Sequence, residues 1–334
     1  MRYLIIIAAL LFLSPVMGQE DMDKPVVVTS VTIIKDIAEM IAGNEFKIDC
    51  LMPIGGDPHL HEPTPNDAIL VSKASLVLVN GLTLEGWLNE LINNAGGDAK
   101  VVTVTKGINA IESQTYKGSS DPHAWMDVRN GIIYADNIRN AFIELKPDAA
   151  EVFNFNFGVY KKQLEDLDNY IFKAIQSIPE QQRILITSHD AFQYYGKRYG
   201  IELESILGTS TDAEAQVSDL TRVNNVIKVS KVPAVFVEST INPKMLQQIA
   251  DDNNIKIGGH LYADSIGEQG SGADSYYDML KYNTDQIVAG LTGASNEQAK
   301  AKVEIKSPSW ILWAVLASLM IGGFFILSRS LSSK

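Results

Sequence analysis

The segment from Asp148 to Ile178 constrains the fold of this chain more than any other stretch. Its apolar residues advance by three or four positions throughout, which is the spacing of one face of a continuous α-helix. These residues are Phe153, Phe157, Tyr160, Leu164, Leu167, Ile171, Ile175 and Ile178. At about 1.5 Å per residue, such a helix is roughly 45 Å long, enough to run the length of two small domains. The sequence therefore predicts a linking helix over 148–178, which Pro179 ends.

On either side of this helix, short apolar runs alternate with helical patterns. Lys24–Ser30 before the helix and Arg183–Ser188 after it are typical of buried strands. Strands that alternate with helices in this way indicate βαβ units and parallel sheets. We therefore predict an α/β protein of two similar lobes, residues 24–147 and 183–293. Each lobe has about four strands in a parallel-type sheet with flanking helices, and the long rigid helix joins them.

Two of the five histidines lie in the same tripeptide, Asp-Pro-His, at Asp57–His59 and at Asp121–His123. The first belongs to residues 55–67, GGDPHLHEPTPND, where three prolines fix φ and remove backbone donors, so this loop is stiff. Imidazoles on a stiff loop lose little entropy when they bind a metal ion. Both tripeptides stand at strand-to-helix junctions, and such loops bind ligands at the carboxyl ends of strands in α/β proteins.

The second half of the chain offers two comparable residues. His189 follows an apolar strand in TSHDAF, and Asp264 follows the last predicted strand in LYADSIG. Together with His59 and His123 they form a set of three imidazoles and one carboxylate, which suits Zn²⁺ or Mn²⁺ and is poor for Cu(I). Because each lobe contributes two of the four, one metal ion bound by all of them would join the lobes.

The roles of four other polar residues stay open. His61 points the same way as His59 if the backbone is extended, so it either chelates with His59 or is a polar cleft residue. Glu238 ends a predicted strand and either faces the cleft or is an ordinary strand-end acid. Asp190 is a candidate hydrogen-bond partner for the neighbouring imidazole. His260 fits a loop or surface position.

Charge and cysteine content exclude several classes of function. The chain of 334 residues has a net charge of −12, which argues against a nucleic-acid partner because such proteins present a basic face. Its single cysteine, Cys50, rules out an internal disulfide and a thiolate-rich zinc cluster.

Both ends of the chain carry apolar segments. Residues 1–18 have the basic start and apolar run of a cleavable secretory signal peptide. Residues 308–327 contain no charged residue and are about long enough to cross a hydrocarbon core of ~30 Å. We therefore expect a spacer over 294–307, a C-terminal transmembrane helix and a cytoplasmic tail over 328–334. The body would then be held at the extracytoplasmic face of the cytoplasmic membrane.

Five motifs follow one another along the chain: GGDPHLHEPTPND, SSDPHAWMDV, TSHDAFQYYGKRYG, VFVESTINPKM and LYADSIG. As a set they resemble the metal-binding solute receptors of bacterial ABC importers, the zinc and manganese receptors called cluster A-I. The resemblance covers roughly Pro25 to Leu291. It implies two α/β lobes joined by a rigid helix, with the metal ligands at His59, His123, His189 and Asp264.

The resemblance implies a receptor, not an enzyme, that delivers a divalent cation to an ABC permease. We expect this receptor to be monomeric. Zinc is the first choice because the third ligand is histidine, whereas members with glutamate there tend to take manganese, the second choice. The chain departs from the family in lacking a histidine-rich loop, in having His61 where an aromatic residue is common, and in its predicted C-terminal anchor. The alternative is a membrane-anchored zinc-dependent hydrolase with three ligands, an open water position and Glu62 or Glu238 as base.

Overall fold

The computed structural model describes residues 24–113, 118–212 and 214–293, which form two lobes on a long central helix. The elements of the first lobe are β1 (Val26–Thr29), α1 (Thr32–Ala42), β2 (Lys47–Cys50), α2 (Pro65–Lys73), β3 (Leu76–Val79), α3 (Leu88–Ala95), β4 (Lys100–Thr103) and α4 (Val128–Leu145). The central helix is α5 (Ala150–Gln176). The elements of the second lobe are β5 (Ile184–Thr187), α6 (Gln193–Tyr199), β6 (Glu202–Ser205), α7 (Val217–Ser230), β7 (Ala234–Glu238), α8 (Lys244–Asp252), β8 (Lys256–Leu261) and α9 (Tyr276–Thr292).

The first lobe contains a four-stranded sheet in the order β2-β1-β3-β4. All its pairs are parallel, and Val27 of β1 aligns with Ile48 on one side and with Leu76 on the other. The central strands are buried while β2 and β4 at the edges are more exposed, as expected when helices cover a parallel sheet. The loops that leave the carboxyl ends of these strands lie at one edge, where ligands bind in such folds.

The four strands of the second lobe form two hydrogen-bonded parallel pairs, β5-β6 and β7-β8, instead of one continuous sheet. β5 lies beside β7. Where β5 and β7 end, a side chain links them instead of backbone hydrogen bonds. Glu238 Oε1 at the end of β7 accepts hydrogen bonds from the N–H groups of Ser188 and His189, which follow β5. The prediction of one parallel-type sheet per lobe therefore holds for the first lobe only.

Helix α5 has 27 residues and is about 40 Å long. Its buried face includes Phe153, Leu164 and Ile171, residues that the sequence places on the apolar face. It contacts α1 and α4 of the first lobe and α6 and α9 of the second. One rigid element therefore supports both lobes, and its observed ends lie just inside the predicted range of 148–178. The predicted lobe boundaries, 24–147 and 183–293, stay a prediction.

The prediction that the fold includes a membrane-spanning helix is wrong for the described chain. Within residues 24–113, 118–212 and 214–293, the helices are all too short or too polar to cross a membrane. The longest, α5, has charged residues along its outer face, and a spanning segment must be almost entirely apolar. The predicted segment itself lies outside the described residues, as do the predicted signal peptide, spacer and tail: 308–327, 1–18, 294–307 and 328–334.

Candidate metal centre

The four residues predicted to bind a metal ion lie in loops that meet between the lobes. His59 belongs to the loop between β2 and α2, and His123 precedes the short helical turn Ala124–Met126 ahead of α4. His189 follows β5 and Asp264 follows β8. The structure brings all four together, because their ligand atoms lie within 4.8 Å of one another.

Three imidazole nitrogens and a carboxylate converge on one point. The Nε2 atom of His123 lies 3.3 Å from the Nε2 atoms of both His59 and His189. Asp264 Oδ1 is 3.3 Å from His123 Nε2, and Asp264 Oδ2 is 3.4 Å from His189 Nε2. Asp264 Oδ1 is buried and makes no hydrogen bond to the described residues. A buried carboxylate oxygen without a donor is costly, and a bound cation would satisfy it.

The two separations between Nε2 atoms match the spacing of neighbouring ligands around a small tetrahedral ion. Bonds of about 2.0–2.1 Å from zinc to nitrogen or oxygen, at tetrahedral angles, place neighbouring ligand atoms about 3.3–3.4 Å apart. His123, His189 and Asp264 are essentially buried, and His59 is half-buried. The donor set is therefore largely shielded from water, and His59 is its most exposed member.

The repeated Asp-Pro-His tripeptide forms the same turn at both of its positions. Asp57 Oδ1 accepts a hydrogen bond from the backbone N–H of His59, and Asp121 Oδ1 accepts one from the N–H of His123, each at 2.9 Å. An aspartate that bonds to the backbone two residues on is a common local turn. The aspartate therefore fixes the backbone that carries the imidazole. Trp87 Nε1 adds a hydrogen bond of 3.0 Å to Pro58 O and so holds the first loop in place.

Two buried carboxylates orient the buried imidazoles from behind. Asp121 Oδ1 lies 2.8 Å from His123 Nδ1, and Glu238 Oε2 contacts His189 Nδ1. A carboxylate on Nδ1 leaves Nε2 available to bind a metal ion and makes it more basic. Sequence reasoning left Glu238 open and missed Asp121, although its place two residues before His123 was a usable signal.

Asp264 is held from both lobes. Thr240 Oγ1 donates to Asp264 Oδ2 at 3.3 Å within the second lobe. From the first lobe, Trp125 Nε1 donates to Ala263 O at 2.9 Å, and the N–H of Gly55 donates to Ser265 Oγ at 2.8 Å. The backbone on each side of Asp264 is therefore tied to the lobe that carries His59 and His123.

Negative neighbours raise the pKa values of the two buried histidines. Burial alone would lower the pKa of His123, but the hydrogen bond and charge of Asp121, together with Asp264, outweigh it and raise the pKa to about 9. Burial likewise opposes the charged form of His189, while the charges of Glu238 and Asp264 raise its pKa well above the ordinary value. The surroundings of both imidazoles therefore stabilise positive charge, which is also what a cation-binding site requires.

The other two groups have the protonation states that metal binding requires. Burial lowers the pKa of His59 to about 4, so its imidazole is neutral near pH 7. Burial would raise the pKa of Asp264, but the positive charge of His189 and the close approach of His123 hold it well below its usual range. Neutral imidazole and ionised carboxylate are the forms that bind metal ions.

The structure does not bring the other polar candidates into the centre. His61 Nε2 lies 3.2 Å from Asp67 Oδ2, and the His61 ring packs edge-on against Trp87 at 4.5 Å between centroids. Asp190 accepts hydrogen bonds from Gln193 and is not the hydrogen-bond partner of the His189 imidazole. His260 is exposed on β8. His61 does line a cavity of about 480 Å³ that opens over His59, so it stands at the mouth of the centre.

Two α/β lobes on a rigid helix, with a buried donor set between them, define a solute-binding protein. The chain belongs to the family described as zinc-uptake complex component A, periplasmic (ZnuA), whose model matches residues 27–290. The resemblance stated from the motifs is therefore confirmed. This family consists of substrate-binding receptors of ABC importers, so the chain is a receptor and not an enzyme, and the hydrolase alternative has no support.

Individual relatives carry both zinc and manganese in their names. The chain is 38% identical over 273 residues to the manganese-binding lipoprotein MntA of Halalkalibacterium halodurans, covering 82% of this chain and 90% of the relative. It is 34% identical to the periplasmic zinc binding protein TroA from Treponema pallidum, with a TM-score of 0.77 over 80% of this chain and 99% of that one.

A third relative is the Mn-bound periplasmic metal binding protein from Candidatus Liberibacter asiaticus. This solved structure is 30% identical, with a TM-score of 0.74 over 80% of this chain and 100% of that one. MntA is named a lipoprotein, so the comparisons too give the predicted helical anchor no support. They leave the choice between zinc and manganese to chemical argument.

Proposed function

We propose that this chain captures Zn²⁺, with Mn²⁺ as the second choice, through His59, His123, His189 and Asp264, and delivers it to an ABC permease outside the cytoplasmic membrane. The observation that carries the proposal is the convergence of four residues, two from each lobe, through three imidazole Nε2 atoms and both oxygens of Asp264. The separations are 3.3–3.4 Å for the pairs His59–His123, His123–His189, His123–Asp264 (Oδ1) and His189–Asp264 (Oδ2).

The donor set supports zinc over manganese. Three neutral imidazoles and a carboxylate suit zinc, which is commonly four-coordinate. Manganese takes more ligands and prefers oxygen. Both oxygens of Asp264 lie 3.3–3.4 Å from a ligand nitrogen, so binding through both would raise the coordination number to five. The family description names zinc, whereas MntA and the Liberibacter structure are named for manganese. Manganese therefore stays the alternative.

Release follows from the division of ligands between the lobes. Because His59 and His123 belong to one lobe and His189 and Asp264 to the other, moving the lobes apart breaks the coordination sphere in two. Helix α5 contacts both lobes along its length, so a small displacement is expected and not a wide hinge closure. In this mechanism the permease supplies the force that separates the lobes, and the ion passes through the mouth beside His59.

The test of the ligand set compares two histidines of different position. His189→Ala removes a buried proposed ligand, and His260→Ala removes an exposed histidine of the same lobe. We expect His189→Ala to weaken zinc binding more than about 100-fold, since loss of a mere hydrogen-bond partner of a ligand costs about 10–100-fold. His260→Ala should bind as the wild type does. Calorimetric titration with ZnCl₂, alongside circular dichroism as a folding control, measures both.

The choice of metal is tested by elemental analysis followed by competition. Protein purified without added metal is first analysed for bound ions, then stripped and titrated with Zn²⁺ and Mn²⁺ separately and together. The proposal expects one ion per chain and zinc in preference at equal concentrations. Displacement of zinc by equimolar manganese would make manganese the cargo, and wild-type-like zinc binding by His189→Ala would refute the ligand set.

A further inference from the structure

A second pocket lies where three elements from different parts of the chain meet. It has a volume of about 340 Å³ and is formed by α1 of the first lobe, the central helix α5 and the start of α9 in the second lobe. Its walls share no residue with the cavity over His59. The side chains used below are Asp36 and Met40 from α1, Tyr160 from α5, and Tyr277 and Asp278 from α9.

Two carboxylates in this pocket have no positive partner. Asp36 Oδ2 accepts the N–H of Tyr276 at 2.8 Å, and Asp278 Oδ2 accepts the hydroxyl of Ser275 at 2.7 Å. The second oxygen of each makes no hydrogen bond, and neither acid forms an ion pair, with the residues that the structure describes. Burial, followed by the charges of Glu39 and Asp278, raises the pKa of Asp36 to about 6 although the bond from Tyr276 opposes it.

A buried hydroxyl group in the wall of this pocket also lacks a hydrogen-bond partner. Tyr160 is only 2% exposed and lines this pocket, and its Oη atom has no hydrogen-bond partner among the described residues. An unpartnered buried hydroxyl costs stability, and most buried polar groups in folded proteins are satisfied. A phenol oxygen accepts hydrogen bonds, so it fits an occupant that carries several N–H donors.

The chemistry of these walls favours an organic cation over a metal ion. Within the described ranges, the His59–His123–His189–Asp264 cluster is the single place where three or more metal-binding side chains bring their ligand atoms together. Asp36 and Asp278 therefore lack the third close ligand that a bare ion needs. Met40 and Tyr277 provide apolar surface beside them. A flat or tetrahedral nitrogen cation on an aliphatic arm would use both kinds of wall.

We propose that this pocket binds a small free molecule with a guanidinium or primary ammonium group on a short aliphatic arm. The cationic head lies between Asp36, Asp278 and the hydroxyl of Tyr160, and the arm lies against Met40 and Tyr277. Pockets of a few hundred Å³ are the size that proteins use for small ligands. Because α1 and α9 belong to different lobes, the bound molecule would contact both lobes and the helix that joins them.

The experiment uses two probes of nearly the same shape, one cationic and one neutral. Calorimetric titration of the purified protein compares butylguanidine, which is cationic, with butylurea, its neutral isostere, in the presence of a chelator so that the metal centre plays no part. We expect saturable binding of butylguanidine at or below about 1 mM and none of butylurea at that concentration. A capped tripeptide with one central arginine, titrated in parallel, distinguishes a protein side chain from a free molecule.

Two substitutions identify the pocket. Asp36→Asn retains an acceptor for the N–H of Tyr276 and should weaken butylguanidine binding at least about tenfold, because a charge-assisted hydrogen bond is lost. Tyr160→Phe removes only the unpartnered hydroxyl and should weaken binding about 3- to 10-fold without lowering the unfolding temperature. Tyr282→Phe, on α9 outside the pocket, is the matched control and should bind normally.

Three results would overturn the proposal. These are the absence of saturable binding up to about 10 mM, equal binding of butylurea, and unchanged affinity in both Asp36→Asn and Tyr160→Phe. Binding of the tripeptide but not of butylguanidine would refute a free molecule as the occupant. Since the titrations exclude metal, their failure leaves the metal-receptor proposal unaffected.

Discussion

At the scale of single residues, the metal centre is a problem of charge balance in a buried space. Three carboxylates, Asp121, Glu238 and Asp264, surround the imidazoles of His123 and His189. Their three negative charges raise the pKa values of both histidines. Two protons on these imidazoles leave one net negative charge, and so does one divalent cation with neutral imidazoles. At the proposed ligand set, metal uptake would therefore exchange a divalent cation for protons.

This exchange predicts a strong dependence of metal affinity on pH. The pKa of His123 in the metal-free protein is about 9, so below pH 9 its proton competes with the metal ion, and the competition grows as pH falls. The apparent affinity for zinc should drop by at least about tenfold per pH unit between pH 8 and pH 6, with one to two protons released per ion bound. Chelator competition at several pH values, and calorimetry in buffers of different ionisation enthalpy, measure both quantities.

The carboxylate of Glu238 allows a control for the predicted pH dependence. Glu238→Gln removes the negative charge behind His189, which lowers the pKa of that imidazole. The variant should release fewer protons on binding zinc than the wild type does, and its affinity should depend less steeply on pH. An affinity that is flat between pH 6 and pH 8 in the wild type would contradict the exchange.

The four proposed ligands could be chosen from the sequence because each stands in a local context that marks the carboxyl end of a strand. Their partners could not all be chosen in this way. Glu238 reaches His189 from a different strand, so their contact depends on how β5 and β7 lie beside each other. Asp190, the neighbour in sequence, turns to Gln193 instead. Closeness in sequence is therefore an uncertain guide to contact, and contacts between strands need the fold.

At the scale of elements, two glycines in helix interiors show how packing decides the effect of one methyl group. Gly131 of α4 faces α9, and a Cβ there would lie 2.3 Å from Tyr276 Oη. Tyr276 is fully buried and donates its hydroxyl hydrogen to Trp125 O at 2.5 Å, so it cannot move away cheaply. Gly158 of α5 is exposed, and its Cβ would have no neighbour within 4 Å.

The same substitution should therefore have opposite effects at these two positions. Gly131→Ala should destabilise the protein by about 1–3 kcal/mol through overpacking. Gly158→Ala should stabilise it by up to about 1 kcal/mol, because alanine forms helix better and meets no obstacle. For a protein of this size, each kcal/mol moves the unfolding temperature by about 2–4 °C. Thermal unfolding of the metal-free variants measures both shifts, and shifts of equal sign would contradict the packing argument.

The elements themselves follow closely from the sequence where the pattern is periodic and long. Helix α5 is observed over Ala150–Gln176 against a predicted 148–178, because its apolar face repeats over many turns. The pairing of β5–β6 and β7–β8 as separate units was not predictable, since short apolar runs specify a strand but not its neighbours. The predicted membrane helix also rests on an apolar run alone, and that run, residues 308–327, lies outside the described residues.

At the scale of the whole molecule, polar contacts hold the two lobes together around the centre. Tyr194 of the second lobe donates its hydroxyl hydrogen to Asp121 O at 2.9 Å. Across the mouth, Thr211 Oγ1 donates to Asp57 Oδ2 at 2.6 Å. Because Asp57 also holds the backbone of His59, the contact with Thr211 ties the most exposed proposed ligand to the opposite lobe. Opening the lobes must break this bond before His59 can leave.

The contact between Thr211 and Asp57 should therefore slow the release of the metal ion. Thr211→Val keeps the shape of the side chain but removes the donor, while the bond from Asp57 to the N–H of His59 remains. A hydrogen bond to a charged group contributes about 1.5–3 kcal/mol, and partial replacement by water at this half-exposed position reduces the effect, so we expect zinc to dissociate about 3- to 10-fold faster. Stopped-flow mixing with excess chelator measures the rate of zinc dissociation.

Thr221→Val is the matched control, since the hydroxyl of Thr221 bonds only within α7. Equal rates in Thr211→Val and the wild type would mean that the lobes open elsewhere first, and that the mouth does not limit release.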